Sequence, residues 1–283
     1  MSIENPNFFE CQEKIPWFSQ EKINNTSVAI LGVGGIGCNI ALLVSRLGFK
    51  KVFLVDLDII EISNLNRQTL YSKNDIGKKK VVIAKNTLDN LDNLDSEIIS
   101  YDYDLFEDWQ KTIEIIQESD YVLNGLDQPE IKRTLIGILC LKLKKPMIYC
   151  GTDPHSGYSG MIVYQASEVN KPCYECLQAI LPSIEDQHLI KKYTLENILT
   201  FNKINWHELE KKDFKELTLG ATMVITAMFA STLAVNTLIH AIHNQKCPER
   251  IIFDLFSDNI ERYFLEKRED CLVCSKTNIN NNN

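Results

Sequence analysis

The chain has 283 residues, 45% hydrophobic and 24% charged, enough apolar surface for a buried core in one large or two small domains. A net charge of −8 excludes the broad basic field that a general nucleic-acid or anionic-membrane binder needs. Met1 to Glu10 shows no basic stretch followed by an apolar run, so a cytoplasmic chain is expected, its nine cysteines being thiols or metal ligands rather than disulfides.

Val28 to Leu31 is a short apolar run that ends in glycines and reads as a buried strand. Ile36 to Leu47 reads as a helix stopped by Gly48, and Lys51 to Val55 as a second strand ending at Asp56. Strand, glycine turn, helix and strand make one βαβ unit. The pattern then repeats. Helices are expected at Lys78 to Leu91, Trp109 to Gln117 and Pro129 to Leu143, and strands at Glu97 to Tyr101, Tyr121 to Asn124 and Met147 to Cys150. Such alternation predicts a Rossmann-like α/β fold, a mostly parallel sheet with helices on both faces.

After Gly151 the alternation stops. Gly160 to Gln165 reads as a strand able to run antiparallel, and residues 177 to 219 as a polar crossover or flap. The apolar stretch Ala221 to Ile242 is interrupted by Thr222, Thr226, Ser231, Thr232, Asn236 and His240, which favours a buried helix over about 220–243 and not a membrane span. Two short strands, Ile251 to Leu255 and Arg262 to Glu266, are expected to close the sheet. One domain over residues 1–276 is expected, followed by a solvated Asn-rich tail at 277–283.

Gly32-Val-Gly34-Gly35-Ile-Gly37 satisfies the G-x-G-x-x-G pattern between a predicted strand and a predicted helix. Glycines let the backbone approach a phosphate, and the helix N-terminus offers free N–H groups. Asp56 ends the second strand, where an acid can accept hydrogen bonds from ribose hydroxyls. These features predict nucleotide binding and by themselves admit NAD or FAD. The chain has no G-x-x-x-x-G-K-[ST] loop, so a triphosphate would need cations from elsewhere. Asn64-Leu-Asn-Arg67-Gln68 and Lys78-Lys79-Lys80 follow the second strand and are candidates for that role, although a run of lysines is usually a solvated turn. Asp127 follows the fourth parallel strand, a suitable place for a Mg²⁺ ligand.

Cys173-Tyr-Glu-Cys176 and Cys271-Leu-Val-Cys274 are two C-x-x-C pairs. Four thiolates complete a tetrahedral Zn²⁺ shell, and a closed site of this kind is structural. A redox motif and buried free thiols are the plainer readings. Cys38, Cys140 and Cys150 are expected in the core, Cys11 and Cys247 carry no assignment, and His240 and His243 are expected to pack and not to bind metal. His155 lies where it could touch a substrate.

Taken together, Gly32 to Gly37, Asp56-Leu-Asp58, Asn64 to Gln68, Asp75-Ile-Gly77-Lys-Lys-Lys80 and Leu126-Asp127 resemble the MoeB/ThiF/HesA family over about Gln12 to Ser275. The resemblance implies ATP-dependent adenylation of the C-terminal carboxylate of a small ubiquitin-like or sulfur-carrier protein, or of a ribosomal peptide. It implies Asp56 on the ribose, and Asn64, Arg67, Gln68 and Lys80 on the phosphates and leaving pyrophosphate. It implies Mg²⁺ on Asp127, zinc on the cysteine quartet, and a homodimer. Cys173 to Cys176 also resembles the matching stretch of the microcin-modifying member MccB.

Two departures stand out. Many members carry an Arg-x-x-Arg-Gln segment before the first strand; here the stretch is Phe8-Phe-Glu-Cys11-Gln12. Members that form a thioester have a cysteine between the second zinc ligand and the last long helix; Leu177 to His243 has none. The first departure keeps a non-catalytic nucleotide-binding relative among the readings. An NAD-dependent oxidoreductase is the other alternative, and it leaves Arg67, Gln68, Lys80 and the cysteines without roles.

Overall fold

Ser27–Leu31 (β1) is buried at every position, as a strand covered on both faces must be. Val28 and Ile30 face one hydrophobic cluster, Ala29 and Leu31 the other. The computed structural model describes residues 8–91, 96–127, 130–168, 170–178, 182–205 and 222–275. Pro129, the segment 206–221 and the tail 277–283, each carrying an expectation above, lie outside these residues.

The parallel strands are β1, Lys51–Val55 (β2), Glu97–Tyr101 (β3), Tyr121–Asn124 (β4) and Met147–Thr152 (β5). Ser159–Gln165 (β6), Arg250–Asp254 (β7) and Asn259–Tyr263 (β8) continue the sheet antiparallel. Among the described residues the order is β3-β2-β1-β4-β5-β6-β7-β8. Order reverses at β1, where connections leave in opposite directions and open a crevice at the strand ends.

Helices Glu10–Glu13 (α1) and Gln20–Asn24 (α2) precede β1. Gly35–Leu47 (α3) and Lys80–Asp89 (α4) cover one face of the sheet. Trp109–Glu118 (α5), Glu130–Lys142 (α6) and Ile184–Lys192 (α7) cover the other. Val224–Ile242 (α8) is apolar and long enough to cross a membrane. It packs instead against α3, β5 and β6, with Ala227, Ala230, Ala234 and Leu238 buried.

The expected crossover at 177–219 is partly ordered packing. Buried Trp109 donates from Nε1 to Ile198 O at 2.9 Å and from its backbone to Asn202 O at 2.9 Å. Tyr193 and Ile198 are buried beside it. Residues 182–205 are therefore tied to the body of the sheet, next to the loop that follows β3. His243, at the end of α8, accepts from Ser19 N–H through Nε2 at 2.8 Å, and its Nδ1 lies 2.8 Å from Ile239 O. Its ring also stacks on Phe18, and His240 meets Trp17 edge-on. Both histidines thus pack the N-terminal segment, with no ligand nitrogen of His243 left over.

Candidate functional site

The glycine turn between β1 and α3 depends on close approach. Gly32 has φ +88, a region L side chains rarely adopt. A Cβ on Gly37 would stand 1.9 Å from Gly32 O, which would force the helix off the turn. Gly37→Ala is expected to destabilise the fold by about 1–3 kcal/mol or more, as overpacking does, and to weaken nucleotide binding at least tenfold. A urea melt alongside nucleotide titration checks both.

Asp56 holds the same turn from β2. Its Oδ2 accepts from Val33 N–H at 2.7 Å and its Oδ1 from Asp58 N–H at 2.8 Å. Burial raises its carboxyl pKa above the ordinary value, while the Lys80 ammonium and the two N–H donors pull the other way. Tyr71 O–H donates to Val33 O at 2.8 Å, fastening the turn from a third side. The oxygens keep further lone pairs, so an added ribose could still be accepted.

Lys80 opens α4. Residues 58–60 run beside 77–80, with Lys80 N–H donating to Asp58 O at 3.1 Å and Ile60 N–H to Lys78 O at 2.9 Å. This pairing fixes where the lysine enters the crevice. Its ammonium meets Asp58 Oδ2 at 2.7 Å. Lys78 and Lys79 point elsewhere, to Asp75 and to Asp102 and Leu57 O. The run of three lysines therefore sends one inward and two to the surface.

These groups line one cavity of about 180 Å³ at the strand ends. Gly32, Gly34, Asp56, Asp58, Lys80 and Asp127 are all in its wall. Asp127 is exposed at the rim. Across the cavity the sheet order sets a sequence of surfaces: Tyr103 to Phe106 after β3, the acids after β2, the glycines after β1, and Gly125 to Asp127 after β4. A nucleotide with its ribose on Asp56 would lay its phosphates along the glycine turn that follows β1.

Asn64, Arg67 and Gln68 are not in the cavity wall. Asn64 Oδ1 accepts from Glu61 N–H at 3.0 Å and so caps its own short turn. Arg67 donates to Ser63 O at 2.8 Å, and its stem lies against the start of α3, 3.2 Å from where a Gly35 Cβ would stand. Gln68 is buried beside Gly34 and its Oε1 has no partner. Arg67 and Gln68 are thus docked beside Gly35 and Gly34 at the N-terminus of α3. Lys132 and Asp104 also line the cavity and were not singled out by the sequence. Each sits near a helix start, where a charged residue ordinarily reads as solvated.

The four cysteines converge as their spacing suggested. Their Sγ atoms all lie within 4.8 Å of one another and all four residues are buried. Cys173 to Cys271 is 3.5 Å, Cys176 to Cys274 3.4 Å, and Cys173 to Cys176 3.9 Å. A tetrahedron with Zn–S bonds of about 2.3 Å has edges of about 3.8 Å. The donor set and its dimensions fit zinc, with Arg268 N–H donating to Cys176 Sγ at 3.4 Å as outer-shell support. The other thiols behave as core residues. Burial pushes Cys38 up to about 12 and raises Cys140 and Cys150 further. Cys247 is buried too, and burial pushes it up to about 11.

Residues 9–273 match the model of the ThiF family. Among curated relatives, the adenylyltransferase and sulfurtransferase MOCS3 of Xenopus laevis is 30% identical over 158 residues, covering 56% of this chain and 33% of the relative. The SUMO-activating enzyme subunit uba-2 of Caenorhabditis elegans is 32% identical over 56% of this chain and 26% of its own length. The NEDD8-activating enzyme E1 catalytic subunit of Arabidopsis thaliana is 26% identical over 87% of this chain and 65% of its own. The chain thus spans between about a quarter and two thirds of these relatives. Among solved structures, E. coli MccB with succinimide superposes with a TM-score of 0.71 at 22% identity, over 96% of this chain and 75% of that one. MccB with ATP gives 0.68 at 22% identity, over 90% and 68%. At that identity the likeness establishes the fold.

Proposed function

Since the chain belongs to the ThiF family, we propose that it uses ATP to adenylate the C-terminal carboxylate of a small ubiquitin-like or sulfur-carrier protein or of a ribosomal peptide. One observation carries this reading. Asp56 after β2, the glycine turn at a helix N-terminus after β1 and exposed Asp127 after β4 line a single cavity, with buried Lys80 also in its wall, an order that suits ribose, phosphates and an incoming acyl group.

The chemistry follows from that order. A carboxylate oxygen attacks the α-phosphorus, the bond to the β-phosphate oxygen breaks, and pyrophosphate leaves with the electron pair. Asp56 keeps the turn and the ribose in register. The N–H groups at the start of α3 and the Lys80 ammonium oppose charge on the phosphoryl oxygens, with Arg67 and Gln68 turning in from their docked segment. Asp127 and the phosphates would hold Mg²⁺, which supplies further charge neutralisation when bound. With no cysteine between Leu177 and His243, the acyl-adenylate passes to an external nucleophile and not to an internal thiol.

Relatives support both substrate classes. MccB has been solved with ATP and with the MccA peptide, while other relatives are named for SUMO, NEDD8 and sulfur transfer. We include a homodimer and a cytoplasmic location in the reading. Purified protein is expected to catalyse ATP–pyrophosphate exchange only when a partner with a free C-terminal carboxylate is added. Exchange that is absent with every small protein and peptide encoded nearby, despite ATP binding, would favour the non-catalytic relative. Tight NAD(H) binding without ATP binding would favour the oxidoreductase.

A further inference from the structure

Lys80 is the one lysine of its run that enters the cavity, and its side chain is 8% exposed against 57% for its partner Asp58. The carboxylate is therefore the more solvent-facing partner of a pair that lines the cavity wall. At 2.7 Å it takes a contact that a phosphate oxygen would otherwise make. Asp58 is also held from two other directions. Its N–H donates to Asp56 Oδ1 at 2.8 Å, and its C=O accepts from Lys80 N–H at 3.1 Å. Backbone position is thus fixed while the carboxylate alone is free to swing.

The charge around the pair points the same way. Asp56, Asp58, Asp104 and Asp127 line the cavity against Lys80 and Lys132. A polyanion entering such a wall gains when one carboxylate withdraws. We propose that Asp58 is a positioning latch: its carboxylate stands in for phosphate on Lys80 in the nucleotide-free protein, swings out when ATP enters, and returns to recapture the ammonium as pyrophosphate leaves. The proposal rests on the adenylation reading above and adds to it a residue which favours release over retention.

Asp58→Asn removes the charge and keeps the shape, at a position exposed enough to tolerate it. The variant is expected to bind ATP and pyrophosphate about three- to tenfold more tightly, the range for removing one partly exposed charge partner. Adenosine, which has no phosphate, is expected to bind both proteins equally. In exchange assays KM for ATP should fall and kcat should fall with it, because pyrophosphate leaves more slowly. Asp58→Glu should restore the wild-type pattern, and in a Lys80→Met background the gain from Asp58→Asn should shrink to about twofold or less. Equal ATP affinity for wild type and Asp58→Asn, or weaker binding by the variant, overturns the latch and leaves the nucleotide site standing. Failure of both proteins to bind ATP overturns the reading and the latch together.

Discussion

Replacing Cys173 with serine is expected to release zinc and to cost the chain much of its stability. The four sulfurs join two parts of the chain that are far apart in sequence: the turn Tyr174–Leu177 that packs against α6, and the segment Cys271 to Cys274 beyond the last strand. Besides the sulfurs, that end is held by buried Val273, by Leu265 and Leu272 packed on the same core, and by Leu265 N–H donating to Glu249 Oε2 at 3.0 Å. β8 is exposed at nearly every position, and the carboxylate of Glu175 reaches Arg268 only at 3.6 Å. A structural zinc contributes about 10–16 kcal/mol of apparent binding free energy in small domains, and that energy is coupled to folding. Losing one thiolate leaves three ligands and a buried hydroxyl that binds zinc weakly. Metal analysis of the wild type should give about one zinc per chain and of Cys173→Ser far less, with a melting temperature lower by ten degrees or so. A chelator should do the same to the wild type. A variant that keeps its metal and its melting temperature would show that the quartet is not a structural zinc site.

How much of this was legible beforehand depended on which physical signal each element carries. The parallel strands were readable because strands buried on both faces are continuous apolar runs, and β1 and β2 are of that kind. The glycine turn and the paired cysteines were readable because backbone approach and metal geometry dictate both residue type and spacing. The sequence predicts the last strand at Arg262 to Glu266, whereas β8 runs Asn259–Tyr263. Its exposed residues show no alternation to fix a register, and the hairpin with β7 sets it instead, closed by Asp258 at φ 53. Helix α7 lies inside the expected crossover because its sequence is mostly polar; among its described side chains Leu189 and Ile190 are the buried apolar ones, with Tyr193 beyond its end. Long-range pairs were the least readable. Nothing in Asp56-Leu-Asp58 says that the second acid closes on Lys80, and nothing near Lys132 says that it faces the same cavity. Asn64 shows a local role that the motif does not announce: its Oδ1 caps its own turn.

Asp127→Ala is expected to abolish partner-dependent ATP–pyrophosphate exchange while leaving zinc content and melting temperature unchanged. The residue follows β4, on the far side of the glycine turn from Asp56, and its side chain is exposed at the cavity rim. Among the described residues no hydrogen bond or ion pair holds its side chain, so its removal should cost surface-like stability, about 0.5 kcal/mol or less. Its neighbours are anchored without it: Gly125 N–H donates to Leu31 O at 2.9 Å, and Leu126 N–H to Asn124 Oδ1 at 3.1 Å. Such a carboxylate would be available to hold a divalent cation, which would neutralise phosphate charge when bound. Mg²⁺ keeps most of its waters and takes one or two protein carboxylates plus phosphate oxygens, so a single acid at the rim suffices. Loss of a group that opposes charge developing in the transition state costs about 10²–10³ in rate, and loss of the metal with it should bring exchange below that. Asp127→Asn, which keeps the size and removes the charge, should fail to the same extent, and raising Mg²⁺ should recover part of it. Exchange at wild-type rates in Asp127→Ala would place the cation elsewhere in the cavity, with Asp56, Asp58 and Asp104 as the remaining acids of its wall.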